Sequence, residues 1–588
     1  DQWRHDNVLQ PPSPTPADPV EIWAASGSRV VIGEAAVRYT TDGSLPTAQS
    51  ARVPMERVDV TWDLIGGYIT RWKGVVPPQP AGTVVRYQVV ASPAGASPDD
   101  APERLAQDGQ GFWYRFAPEQ SVTTFAYRVE PAAPPHPAWL QDAVIYHIFL
   151  DRFHPGPDRR FQDSARPDGI HGGTFRGVEH ALPYLAELGI TCLWLSPIGP
   201  APSYHRYDAT DYFSVDPALG TGDDLRALVD AAHDRGMRVL LDFVPSHLSS
   251  DHPAFRAAVS DPDAPTRSWF VFYEWPDTYR NFLEVVPQLP SVNTEDPGVR
   301  RHIIDSALYW VRQAGIDGFR LDHAIGHGMD FWTELRDALA AERDDLVTIG
   351  EVTDTPDAAR RYRGRLTDIL DFPLAGALRQ AFGTRAWSVA DLHGFLEAYE
   401  TYMQDGPGRV SFLDNHDMDR FSWVAGNDTG RLKQALLCQF SLLPPPVIYY
   451  GSEIALRQSR SIEDSPIGDA EVRQDMVWDP ALWDRELLDF YRAAAGLRRG
   501  VPSLRGGARH LLHLDGQAGT YAYLRSAAGN TTPQTGDVVV AFNLGNRPAT
   551  LALPPAAYQP LLRTGDAVTA DRAGLHLPPD SAVWLGVA

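Results

Sequence analysis

Four short stretches of the chain combine residues able to do acid, base or nucleophilic chemistry. Asp242 and His247 follow the apolar run that begins at Arg238, and Arg320 and Asp322 stand two apart in Gly318-Phe319-Arg320-Leu321-Asp322. Glu351 follows Leu346-Val347-Thr348-Ile349-Gly350, and His416-Asp417 follow Val410 to Leu413. One Asp at the end of a strand has a plain use as a helix cap. Four carboxylates, an Arg and two His converging on one rim are harder to explain that way. Residues two apart on a strand share a face, and a guanidinium within a few Å lowers a carboxylate pKa by about 1 to 3 units. Asp322 is therefore expected to be ionised, as a nucleophile must be. Glu351 ends an apolar strand beside two anionic Asp, which should raise its pKa and suit it as a general acid. One carboxylate low and one high is the pairing of a retaining glycosidase, and Asp417 is placed to bind ring hydroxyls and favour developing positive charge.

These stretches need elements that bring them together. From about residue 140 to 497 apolar runs alternate with amphipathic helices, and eight candidate parallel strands follow in order: Ala143 to Leu150, Thr191 to Ser196, Arg238 to Val244, Gly318 to Leu321, Val347 to Gly350, Ile369 to Phe372, Val410 to Leu413 and Val447 to Tyr450. The expected fold class is α/β, a (β/α)8 TIM barrel whose chemistry sits at the C-terminal ends of its strands. The third unit is too long, which predicts an inserted domain over about 248–293. Residues 1–19 read as a Pro-rich extended arm, 20–131 as an N-terminal β-sandwich, 132–139 as a Pro-rich linker and 501–588 as a C-terminal β-sandwich.

The chain has 588 residues and a net charge of −23, which repels phosphate backbones and anionic lipid and argues against nucleic acid or membrane partners. No run of about 18 apolar residues occurs. No signal peptide is visible, which favours the cytoplasm over secretion, although a start at Asp1 also fits a removed leader. Cys192 and Cys438 lie in apolar stretches and read as buried thiols. Gly172-Gly173 lacks the Lys-Ser/Thr of a phosphate loop, and His205, His247, His323 and His327 lack metal-ligand spacing, so no metal is assigned. Trp62, Trp72, Trp113 and Tyr114 read mainly as core, whereas Trp269-Phe270-Val271-Phe272-Tyr273-Glu274-Trp275 in the insertion is better placed to meet a substrate.

Asp242-Phe243-Val244-Pro245-Ser246-His247, Gly318-Phe319-Arg320-Leu321-Asp322, Gly350-Glu351-Val352 and Phe412-Leu413-Asp414-Asn415-His416-Asp417 resemble, in this order, the four signature regions of the α-amylase family of glycoside hydrolases. Tyr204-His205-Arg206-Tyr207-Asp208 and Leu289-Pro290-Ser291-Val292-Asn293 support the likeness, which covers about residue 140 to the C-terminus. The resemblance implies Asp322 as nucleophile, Glu351 as acid/base and Asp417 as transition-state stabiliser. It also implies His247 and His416 as ligands of the reacting sugar, with Tyr207 as its stacking platform, and Asp208 and Arg420 as ligands of the outer nonreducing hydroxyls. Asp242 and Arg320 join the expected substrate-binding set.

The N-terminal sandwich looks most like the neopullulanase, cyclomaltodextrinase and maltogenic amylase group. That likeness implies a retaining hydrolase of α-1,4 and some α-1,6 links in maltooligosaccharides, cyclodextrins, pullulan or starch, and a homodimer formed through the N-terminal domain. A glucan transferase, an exo-acting α-glucosidase and a non-catalytic sugar-binding homologue are the alternatives. No cofactor is required by this reading. Ser246 stands where the family commonly has Asn, and the stretch ending at Asn293 lacks the aspartates of calcium-dependent members, so calcium is not supported. Gly326 stands where the family often has His, Lys or Glu, which leaves contacts on the leaving-group side unassigned.

Overall fold

The computed structural model describes residues 3–63, 67–94, 103–109, 122–131, 136–162, 166–565, 567–571 and 574–588. Eight parallel strands close into a barrel in sequence order: β1 (Ile145–Ile148), β2 (Cys192–Leu195), β3 (Arg238–Phe243), β4 (Gly318–Leu321), β5 (Val347–Gly350), β6 (Asp368–Leu370), β7 (Gly408–Phe412) and β8 (Pro446–Tyr449). Each lies where its apolar run places it, with ends that differ by at most about two residues. Strands covered on both faces have no reason to alternate, and β1, β2, β4, β5, β6 and β8 are buried at every position.

Helices around the barrel start where side chains can serve the free N–H groups of the first turn. Thr221 accepts from Asp224 N–H while Asp224 reaches back to Thr221, a capping box that opens Gly222–His233. Asp296 accepts from Gly298 and Val299 to open Pro297–Ala314, which ends on Gly315 at φ 72°. The long third unit holds a helix, Pro253–Ser260, and two small hairpins. Its end is tied to its beginning by bridges between His247 and Ser291 and between Phe270 and Val292, so the insertion stands over the exit of β3.

The N-terminal domain is one ten-stranded sheet curled around a core that includes Trp3, Ile22, Val37, Trp72, Tyr87 and Phe125. The first residues are extended, as their prolines suggest, but they are not a free arm. Trp3–His5 pairs with Val20–Gly27 and with Gln107–Asp108, and Leu9–Gln10 also joins Val20–Gly27. Burial of Trp3 and Leu9 drives this, with Trp3 Nε1 donating to Val89 O at 3.2 Å. The strand expected at Phe112 to Phe116, with Trp113 and Tyr114, and linker residues 132–135 fall outside the described residues. The rest of the expected linker is docked on the barrel: a short helix, Ala138–Gln141, forms, and His136 Nε2 lies 2.7 Å from Asp368 Oδ2. Trp72 is in the core, but Trp62 is 62 % exposed, so it is not the core residue its composition suggests.

The C-terminal domain is a sandwich of a five-stranded and a three-stranded sheet. Alternation assigns its faces: in Thr520–Ser526, Ala522 and Leu524 face the second sheet, while Tyr521 and Tyr523 join the barrel's core.

A buried ionic group fastens the N-terminal sheet to the barrel helix Met329–Glu342. Arg86 lies 3.4 Å from Asp330 and 2.8 Å from Glu334, and Arg300 reaches the same two acids at 2.8 and 2.9 Å. Removing the shared acid would leave two buried guanidinium groups with Glu334 and the nearby Glu295 as their remaining acids. Asp330→Ala is expected to destabilise the protein by about 3–5 kcal/mol in urea unfolding. A loss under about 1 kcal/mol would mean that this group does not fasten the domains.

Candidate active site

Arg320, on β4, is fully buried at the C-terminal mouth of the barrel and serves three carboxylates. Its Nη1 lies 2.8 Å from Asp242 Oδ1 and 2.8 Å from Asp322 Oδ1, and its Nη2 lies 2.9 Å from Glu351 Oε2. Parallel register brings these groups together, because Asp242 on β3 is directly opposite Arg320, and Asp322 and Glu351 follow the last residues of β4 and β5. Asp322 N–H donates to Phe243 O and Glu351 N–H to Leu321 O, so both acids extend the strand ladders. His323 then takes a left-handed conformation, φ 44° and ψ 51°. This is costly for a residue other than Gly. The turn aims His323 N–H at Glu351 Oε2, 2.9 Å away.

A second set of groups closes the mouth from the β7 and β8 side. Tyr207 Oη donates to Asp242 Oδ2 at 2.9 Å and lies 2.6 Å from His416 Nε2, and the two rings stack at 5.3 Å. With the Tyr207 proton committed to Asp242, Nε2 carries the hydrogen of a neutral His416, whose pKa is held well below the usual range by burial and then by Arg473 and Arg320. Asp417, the most exposed of the acids, sits 3.1 Å from His416 Nε2 and 2.7 Å from Arg473 Nη2. Arg473 also binds Asp469 at 3.0 Å and the backbone oxygen of His416 at 2.9 Å. Beneath them Trp194 Nε1 donates to Asp242 Oδ2 at 3.1 Å, and His147 stacks on Trp194 at 3.7 Å.

One cation among three buried acids determines the protonation of the site. Burial, moderated by Arg320, pushes Asp242 up to about 6. Burial, with repulsion from Asp242 and Asp417, pushes Asp322 up to about 7. Burial, with repulsion from Asp322 and Asp417, does the same to Glu351, up to about 7. Arg320 pulls each down but is shared, so the expected lowering of Asp322 is reversed. The three titrate as a group that retains a proton near neutrality. Asp242 has three donors on its oxygens, and Glu is intrinsically the weaker acid than Asp, so Glu351 is the favoured holder.

The family model described as alpha amylase, catalytic domain, matches residues 156–488. The chain belongs to the α-amylase family. A second family model, described as a domain of unknown function, matches residues 531–584. The chain is 32 % identical to a cyclomaltodextrinase of Geobacillus thermopakistaniensis over 82 % of this chain and 84 % of that one. It is 37 % identical to alpha-amylase 2 of Dictyoglomus thermophilum, where the match spans 63 % of this chain and only 65 % of the relative. A solved cyclomaltodextrinase superposes over 100 % of this chain and 99 % of its own, at TM-score 0.69 and 25 % identity. The protein is thus an α-glucan glycoside hydrolase of the α-amylase family, related to cyclomaltodextrinases and neopullulanases.

Within this family member the expected site residues fall into two groups. Asp322, Glu351, Asp417, Tyr207 and His416 meet at the mouth. Asp242 and Arg320 are taken up by each other and by Trp194, Tyr207, Asp322 and Glu351, and so position the groups around them. His247 is at the mouth, but its Nδ1 is 2.9 Å from Ser246 Oγ and its Nε2 is 2.9 Å from Tyr207 O, so a sugar hydroxyl would compete with both. Asp208 accepts from Ser203 Oγ and lies 3.9 Å from His205, beside His247. Arg420 does not face the cleft at all: it is fully buried, stacks on Tyr449 and Tyr450, and donates to Tyr450 O and Val472 O. The guanidinium that does reach the site is Arg473, in the segment after β8 and outside the four signature stretches. Its signal was the Asp469-x-x-x-Arg473 spacing, which puts both on one side of a turn. In the insertion, Phe282 is the aromatic that approaches the site, 5.0 Å from His247 and 4.8 Å from His323, whereas Phe270 is core and Trp275 donates to Ala258 O.

Glu351→Gln should raise the melting temperature, because it removes a carboxylate that the fold holds at about 7 against an unfolded value near 4.3. For an acid with a raised folded pKa, the cost of folding grows as pH rises between these values and is complete above the folded one. The gain should therefore be full above about pH 7 and vanish toward about pH 4, read from melting curves of both proteins. A gain that is the same at every pH would show that Glu351 is not raised.

Proposed function

We propose that the protein hydrolyses α-1,4 glucosidic bonds of short or cyclic α-glucans, with tolerance of α-1,6 links, by double displacement with retention. The observation that supports this best is the sharing of Arg320 by Asp322 and Glu351, at 2.8 and 2.9 Å. Holding both carboxyls on one guanidinium favours the short separation of a retaining pair, about 5–5.5 Å, over the about 6.5–9.5 Å of an inverting one. Asp322 attacks the anomeric carbon while the glycosidic C–O bond breaks and Glu351 gives its proton to the leaving oxygen. Glu351, now ionised, takes a proton from water, whose oxygen displaces Asp322 from the sugar. Asp417 faces the developing positive charge, and Arg473 holds it in place.

The assignment to short or cyclic glucans draws on the relatives named cyclomaltodextrinase and neopullulanase, and on a solved cyclomaltodextrinase that matches this chain over its full length. Calcium takes six to eight oxygen ligands, and the residues at the family's calcium position do not fit one. Ser246 Oγ is engaged with His247, and the Asn293 amide with Ser268 O and Glu295 N–H. Among the described residues no three His, Cys, Asp or Glu side chains gather as a metal site, and no helix is long and apolar enough to cross a membrane. A homodimer through the N-terminal sheet and a cytoplasmic location, the latter in line with a relative named intracellular maltogenic amylase, are parts of this proposal.

Asp322→Asn should lower turnover of maltooligosaccharides by several orders of magnitude with an unchanged circular dichroism spectrum, and near-normal turnover would remove the assignment. By proton NMR the first sugar released should be the α-anomer, with the β-anomer as the contrary result. The alkaline limb of kcat/KM should fall near pH 7, where Glu351 loses its proton. Comparing cyclodextrin, maltotriose and pullulan separates the readings: a transferase yields longer oligomers early, and an exo-enzyme releases only glucose.

A further inference from the structure

A cavity of 790 Å³ opens at the end of the barrel opposite the catalytic acids, where chain segments enter β6, β7 and β8. Ser13 of the N-terminal domain, Asp368 and Gly408 of the barrel, and Ala508 and Arg525 of the C-terminal sheet all contribute to its wall. In a chain of net charge −23, this wall carries six arginines: Arg336, Arg363, Arg409, Arg505, Arg509 and Arg525. It has only three acids, Asp344, Asp368 and Glu400.

Four of the arginines are matched by carboxylates. Arg336 lies 2.8 Å from Glu130, Arg409 3.1 Å from Asp371, Arg505 2.6 Å from Asp142 and Arg509 2.8 Å from Glu400. Among the described residues Arg363 and Arg525 donate to carbonyls and form no close ion pair: Gly406 O at 2.9 Å for the first, and Ser503 O and Gly506 O at 3.2 and 2.8 Å for the second. Next to them Arg498 is likewise held by carbonyls, including Phe440 O and Leu442 O, each at 2.8 Å. A carbonyl satisfies a hydrogen bond but brings no net negative charge, so the positive charge along this wall is only partly offset, by Glu400 near Arg525 and Asp142 near Arg498. Burial and the nearby Arg525 and Arg505 lower Arg498 to about 9, in keeping with such a potential.

The wall also limits the ligand's chemistry. Among the described residues no Phe, Tyr or Trp lines the cavity and His136 is its one aromatic ring, a poor platform for a nucleobase, while Ser13, Gln141, Thr367 and Gln404 offer partners for hydroxyl groups. We propose that this cavity binds a small phosphorylated sugar, its phosphate drawn to Arg363 and Arg525 and its hydroxyls to the polar wall. Arginine is well matched to phosphate oxygens. Since three domains build the wall, occupancy holds them together and raises thermal stability.

Calorimetry on the full chain with glucose 6-phosphate, inorganic phosphate, ATP and glucose tests this. Glucose 6-phosphate should bind saturably, raise the melting temperature and weaken with added salt. In Arg363→Glu, at a half-buried position outside the catalytic machinery, affinity should fall at least about tenfold while maltotriose turnover is unchanged. Arg525→Met should show the same loss, provided that its unliganded melting curve matches the parent. Absence of binding up to about 10 mM, or equal binding by Arg363→Glu, would overturn the proposal. Equal affinity for phosphate alone would overturn the sugar part, and tighter binding of ATP would overturn the exclusion of a nucleotide.

Discussion

The active end of this protein depends on one guanidinium shared by three acids. Arg320 is buried and cannot leave its charge unmatched, yet it has a single charge to offer Asp242, Asp322 and Glu351. An unpaired buried cation would cost several kcal/mol, so the position of every other group is tied to it. Asp242, with donors from Arg320, Trp194 and Tyr207, becomes a fixed anion under the site. Asp322 and Glu351 must then divide what is left, and a proton stays with them near neutrality. The proposed chemistry, a nucleophile beside an acid, rests on that shortage of positive charge.

Around this centre the fold supplies rigidity. Barrel strands buried on both faces fix the register that sets Asp242 opposite Arg320, and the ladder continues into the backbone of Asp322 and Glu351. The insertion is tied at His247 and Ser291, so it carries Phe282 to the mouth without loosening β3. The flanking domains do not reach the catalytic groups among the described residues. They brace the barrel through ionic contacts such as Arg86 with Asp330 on one side, and through Tyr521, Tyr523 and Trp584 on the other.

The barrel was legible because strands buried on both faces leave compact apolar runs, and the carboxylates were legible because they stand at the ends of those runs. Burial was not. Arg420 and Arg473 are the same residue type in loops after neighbouring strands. Only packing distinguishes the one inserted among Tyr449, Tyr450 and Val472 from the one that reaches Asp417. The Arg320 to Asp322 spacing gave the contact correctly and the sign of the pKa shift wrongly, since a pairwise rule does not register that two further acids draw on the same cation. The N-terminal segment shows the same limit: its prolines mark it as extended, while the partners of Trp3 and Leu9 lie far along the chain.

The central claim, that a shared Arg320 leaves a proton on the acid cluster with Glu351 as its main holder, is open to infrared difference spectroscopy across the range about pH 6 to 8. In the parent-minus-Glu351→Gln difference, where the band of Glu295, also held at about 7, is common to both and cancels, a protonated carboxyl carbonyl band should disappear with a midpoint near 7. A difference without such a band would contradict the account.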